Sequence, residues 1–110
     1  VFIGFRAASG TYTDVKVENN VAIGSYTMGA ALAGANNNTI VGYNTAGALT
    51  SASGSVLIGS NAGGTITTGN DNIAIGLNAM NGGTITGNDN IAIGSEVLDS
   101  MTSGTDNIRI

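Results

Sequence analysis

Three aspartates, Asp71, Asp89 and Asp106, recur within Gly-Asn-Asp-Asn or Gly-Thr-Asp-Asn clusters, at steps close to 18 residues. Carboxylates repeated this way could stack and supply oxygen ligands to Ca²⁺. The same position holds Asn19, Asn37 and Gly54 elsewhere in the chain. Gly, Asn and Asp all tolerate positive φ and bond their own backbone, so a turn accounts for the column without a cation. Two further carboxylate pairs, Asp14/Glu18 and Glu96/Asp99, have the composition of a glycosidase pair. That chemistry needs a cleft and a set separation. These pairs fall in variable stretches and read as solvated loop charges. Imidazole and thiol chemistry lack carriers, because the chain has no His and no Cys. Thr65-Ile66-Thr67 and Thr84-Ile85-Thr86 could form a short flat threonine ladder of the ice-binding kind, although β propensity alone explains exposed Thr on a strand. An exposed tyrosine can be a receptor contact, but Phe2, Phe5, Tyr12, Tyr26 and Tyr43 read first as filling for a thin core. No catalytic, cofactor or metal site is expected from these residues.

The elements that would position them form a repeat. Ile-Gly or Val-Gly recurs at Ile3-Gly4, Ile23-Gly24, Val41-Gly42, Ile58-Gly59, Ile75-Gly76 and Ile93-Gly94, and neighbouring columns agree. Asn20, Asn38, Ser55, Asn72, Asn90 and Asn107 make one column; Val21, Thr39, Val56, Ile73, Ile91 and Ile108 make the next. The units run approximately 1–20, 21–38, 39–55, 56–72, 73–90 and 91–107. Fixed periods of this kind are the mark of a solenoid. β-branched residues two apart give the period of a strand. A second apolar patch (Leu32, Leu49, Ile66, Ile85, Met101) completes a unit of strand, tight bend, strand and turn. No stretch has a helical period with caps. The fold class expected is therefore all-β, as stacked β-solenoid coils of 17–20 residues. Five to six rungs would measure roughly 25 Å. Stacked Asn side chains can bond along the axis. The small middle residues Ala22, Ala74 and Ala92 suggest close approach of a sister chain, since a coil this small has a thin core. The longer first units, Phe5 to Val17 and Ser25 to Ala35, are expected to bulge as loops.

Composition narrows the class. Gly is 18 of 110 residues with no Pro, which excludes collagen, and 42% hydrophobic content with 9% charge is unlike a disordered chain. Net charge is −4 with only Arg6, Lys16 and Arg109 basic, a balance that disfavours nucleic acid. No apolar run approaches the roughly 20 residues of a membrane span. The chain opens and closes inside its own motif and reads as one repetitive segment, 1–110, of a longer protein.

Asn20-Val21-Ala22-Ile23-Gly24 and Asp71-Asn72-Ile73-Ala74-Ile75-Gly76 resemble two related repeat groups. One is the head repeat of trimeric autotransporter adhesins. The other is the repeat of phage tail fibres upstream of a self-cleaving intramolecular chaperone. Val1-Phe2-Ile3-Gly4, Gly59-Ser60-Asn61-Ala62-Gly63 and Gly76-Leu77-Asn78-Ala79-Met80 look like the tail-fibre units, as does the 17–18 residue spacing. Asp106 to Ile110 looks like the variant that ends such arrays. The resemblance implies a homotrimer, extracellular or on a virion, acting as a structural shaft that supports attachment to a host cell. Its implied partners are a tip or chaperone domain of the same chain and, indirectly, a host receptor. The alternative is a calcium- or ice-binding β-roll module, since Gly69 to Ile73 also resembles the calcium-binding β-roll repeat.

Overall fold

The computed structural model describes residues 1–13, 15–30 and 32–110. Seven short strands follow in chain order: β1 (Phe2–Ile3), β2 (Val21–Ile23), β3 (Thr39–Val41), β4 (Val56–Ile58), β5 (Ile73–Ile75), β6 (Ile91–Ile93) and β7 (Ile108–Arg109). Each pairs in parallel with the next, giving one sheet in the order β1 to β7. The result is a β-solenoid of about six turns. The register follows the sequence columns: Val21, Thr39, Val56, Ile73 and Ile91 are successive partners, as are Ile23, Val41, Ile58, Ile75 and Ile93. The molecule measures 33 × 23 × 19 Å. Its long dimension exceeds the expected rod because seven rungs are paired, at about 4.8 Å each.

Only one strand per turn forms among the described residues. The second apolar patch makes isolated parallel bridges, Tyr12 with Leu32 and Ile66 with Ile85, in place of a second sheet. The patch does not keep a constant distance from the glycine: Ile66 lies seven residues beyond Gly59, but Ile85 lies nine beyond Gly76.

Every strand from β1 to β6 is followed by a glycine with φ between 126° and 143°, a region closed to side chains. A Cβ on Gly59 would also lie 2.6 Å from the Gly76 carbonyl oxygen of the next rung. Beyond it the corner turns through two left-handed residues per coil. Arg6, Tyr26, Asn44, Asn61, Asn78 and Glu96 have φ of 50–60° two positions after the glycine. Ala8, Met28, Ala46, Gly63, Met80 and Leu98 have φ of 50–58° four positions after it. The first set donates backward along the axis, as Asn61 N–H does to the Tyr43 carbonyl. The second donates forward, as Met80 N–H does to Val97. Left-handed backbone therefore keeps the corner's amides paired between rungs, which offsets its strain.

The middle residues of the strands point inward. Ala22, Ile40, Leu57, Ala74 and Ala92 are fully buried within the chain's own core. The expectation that Ala22, Ala74 and Ala92 meet a sister chain is thus corrected: their own coil covers them. In the last rung the inward position passes to Arg109, the register partner of Ala92. Size along the inward column is balanced against the second left-handed column. Ala22 shares its rung with Met28, Ile40 with Ala46, Leu57 with Gly63, and Ala74 with Met80. A Cβ on Gly63 would come within 2.8 Å of Leu57 Cδ2, so these two columns face each other across the core. Each of these rungs carries one large and one small residue, as dense packing requires.

The expected asparagine ladder is present. Asn20, Asn38, Asn72 and Asn90 are buried and bond in series. Asn20 Oδ1 accepts both the backbone N–H and Nδ2 of Asn38, at 2.9 and 3.0 Å. Asn72 Oδ1 accepts the same pair from Asn90, at 3.0 and 3.0 Å. The remaining amide protons go across the coil, from Asn38 to the Ala52 carbonyl and from Asn72 to Gly87. A thin core can carry these amides because none of its described buried side-chain polar atoms lacks a partner.

Candidate functional site

The outward side of the strands is an unpartnered feature. Val21, Thr39, Val56, Ile73 and Ile91 form one column, and Ile3, Ile23, Val41, Ile58, Ile75 and Ile93 form a second beside it. All are β-branched and none is charged. Ile23, Ile58 and Ile93 are each 37% exposed. The face is flat, apolar and continuous over the rungs, the kind of surface that soluble proteins cover with a partner.

The aromatics do not fill the core. Phe5 is 66%, Tyr43 56% and Tyr26 37% exposed, and Phe2 and Tyr12 are exposed as well. Phe5 and Tyr43 sit one residue beyond the glycine and Tyr26 two beyond, where the corner turns outward. The coil interior is already filled by two large aliphatic side chains per turn, such as Met28 with Leu32 and Leu57 with Ile66. Phe5, Tyr26 and Tyr43 instead stack edge to face on the surface, with centroids 5.6 and 5.9 Å apart. The Arg6 guanidinium carbon lies 5.9 Å from the Phe5 centroid, a cation–π contact worth about 0.5–1 kcal/mol at an exposed site.

Asp71, Asp89 and Asp106 share one exposed corner, with φ of 55–57°, in a column with Asn19 and Asn37. Their backbone N–H groups donate to the preceding rung, as Asp71 does to Ser53 and Asp89 to Asn70. This is the turn role the residue types allow. Among the described residues no group of three His, Cys, Asp or Glu is arranged to hold a metal ion. The two Thr-Ile-Thr segments are in register through Ile66 and Ile85. Their hydroxyls are partly committed: Thr65 donates to Met80 and Thr67 to Ile85, both at 3.4 Å.

Of the carboxylate pairs, Asp14 lies outside the described residues, and Glu18 pairs with Lys16 at 3.2 Å on the open surface. Glu96 and Asp99 do come together. They line a shallow, open cleft of about 230 Å³ with Asn78, Asn81 and Gly82. Its wall is a bulge, Asn81-Gly82-Gly83, that supplies the two extra residues between Gly76 and Ile85. The spacing carried that signal in the sequence. The long units Phe5–Val17 and Ser25–Ala35 were the expected loops instead. In the first, Val15 and Lys16 are exposed as expected, but in the second Met28, Leu32 and Ala35 are buried.

No helix is long and apolar enough to cross a membrane among the described residues. No protein-family model, curated protein or solved structure matches the chain.

Proposed function

We propose that this chain is a shaft segment of a homotrimeric fibre of the tail-fibre or surface-adhesin kind. It is a stiff spacer that holds a tip or chaperone domain of the same chain away from a virion or cell surface, and it meets a host receptor only indirectly. The observation that carries this reading is the uncharged outward strand face. The coil closes its own core, so a face of Ile and Val along the axis, interrupted only at Thr39, has no use within one chain. A second and third copy laid in parallel would bury it rung against rung, and cyclic symmetry would repeat the contact over any length. The number three rests on the resemblance of the repeat. A structural role also fits the lack of imidazole and thiol.

The assembly is tested by replacing Ile58 and Ile75 together with Glu. Their side chains point away from the coil's core, so the change charges only the shared face. Sedimentation of the full-length protein should show loss of the trimer, while Thr68→Glu, exposed elsewhere on the coil, should leave it intact. A trimer surviving the double substitution, or a wild-type monomer, refutes the arrangement.

The spacer role is tested separately by deleting Ile73 to Asn90. The cut joins Asn72 to Ile91, which occupies the register position of Ile73, and removes one rung of about 4.8 Å. The trimer should assemble and attachment to the target should persist. Lost attachment with the trimer intact would make the shaft itself the receptor-binding surface.

A further inference from the structure

We propose that Asn81–Gly82 is a spontaneous deamidation site in the folded protein, a position where an asparagine is followed by glycine and the attacking nitrogen is left unbonded. The reaction is intramolecular. The Gly82 backbone nitrogen, having lost its proton to solvent base, attacks Asn81 Cγ. A bond forms between that nitrogen and Cγ, the Cγ–Nδ2 bond breaks, and ammonia leaves with the proton returned by solvent. The resulting five-membered imide is opened by water at either carbonyl, leaving Asp or isoaspartate at position 81. No electrons are exchanged with an outside partner, and water is the only co-reactant.

Three observations single out this pair. First, the attacking residue has no side chain to obstruct ring closure, and no other asparagine in the chain is followed by glycine. Second, the nucleophile is free. Among the described residues the Gly82 N–H has no hydrogen-bond partner, whereas the N–H after Asn61 donates to Gly59, after Asn70 to Ser53, after Asn72 to Asn90, and after Asn88 to Asn70. Inter-rung bonds thus hold the nitrogen that would have to attack Asn70, Asn72 and Asn88, and a bond within the corner holds the one beside Asn61. Third, Asn81 and Gly82 belong to the bulge outside the ladder, and Gly82 is exposed. Segments without inter-rung bonds open most readily to the geometry the attack needs.

The product matters because of its neighbours. Asn81 shares the cleft with Glu96 and Asp99, so deamidation adds a third carboxylate to a wall that already carries two. Like charges at this range repel, more strongly at low salt.

The test is ageing of the folded, assembled protein at mildly alkaline pH, followed by peptide mapping for the exchange of NH₂ by OH and for isoaspartate. Asn81 should convert faster than Asn61 or Asn88 by roughly tenfold or more, as the missing Cβ at Gly82 allows. The rate should rise with pH, because the deprotonated amide is the nucleophile. Asn81→Gln, whose longer side chain closes a less favoured ring, should remove the fast phase. Gly82→Ala is a poorer control, since its Cβ would collide with the Asp99 carbonyl of the next rung. If Asn81 converts no faster than Asn61 in the folded protein, the proposal fails. It also fails if Asn81 converts quickly only after denaturation, since the coil would then be protecting it.

Discussion

Replacing Asn72 with Ala should lower unfolding free energy by about 3–5 kcal/mol, read from denaturant midpoints, at roughly one to three per orphaned buried group. Asn72 Oδ1 is the acceptor for the Asn90 backbone N–H, and its Nδ2 satisfies the Gly87 carbonyl. Alanine leaves both groups buried and unpaired, with a small void between two rungs. Asn107→Ala, at the exposed end of the same ladder, should cost less than about 1 kcal/mol, because water replaces the lost bonds. The ladder also has an internal gap. Asn38 Oδ1 accepts only the Ser55 backbone N–H, whereas Asn20 and Asn72 each accept two donors. Ser55→Asn should therefore stabilise the chain, by about 1 kcal/mol for each added bond. A loss of stability in that variant would mean the serine is there to relieve crowding.

The repeat columns make the strand register legible in the residues themselves. Val21, Val56, Ile73 and Ile91 can be stacked on sequence alone because an Ile-Gly or Val-Gly pair marks each coil, and a one-residue slip would turn every side chain over. Which side faces inward was not legible. In Ile73-Ala74-Ile75 both faces are apolar, so binary pattern does not separate them. The larger residues suggested the core, yet the coil is too narrow to hold an Ile from each of two outward columns. The corner was hidden for another reason. Tyr26, Met28, Met80 and Leu98 are unusual in left-handed backbone. They adopt it because inter-rung hydrogen bonds on both sides over-determine the turn, a tertiary cause that local propensity does not contain. The Asp71, Asp89 and Asp106 corner was readable because Asn and Asp announce it.

The cleft shows the same division. Glu96 and Asp99 were visible as a pair, but Asn78 and Asn81 were not. Asn78 belongs to a surface amide ladder in which Asn44 donates to Asn61 at 3.0 Å and Asn61 to Asn78 at 3.2 Å. Its column becomes apparent only when positions are counted from the glycine. Asn81 enters through a length difference between coils, a signal that an alignment built on the strands treats as slack.

The balanced core leads to the other large effect. Leu57→Ala alone should cost about 2–5 kcal/mol, the range for emptying a buried leucine site. Gly63→Met alone should cost at least as much as ordinary overpacking, about 1–3 kcal/mol, since Leu57 and the end of Ile66 occupy the space its side chain needs. At these two positions the double variant gives this rung the residues of the next one, where Ala74 is paired with Met80, and the flexible Met can bend past the end of Ile66. Met is also proven at that backbone position, because Met28 and Met80 hold φ of 50° and 52° against 58° at Gly63. The double variant should thus lose less than about 1.5 kcal/mol, as volume-conserving core changes do. A double-mutant cycle should return a coupling of about 2 kcal/mol or more, a size expected only of residues in direct contact. Additive losses would mean that the pairing of large with small along the chain is chance, and that each rung relaxes independently around whatever it holds.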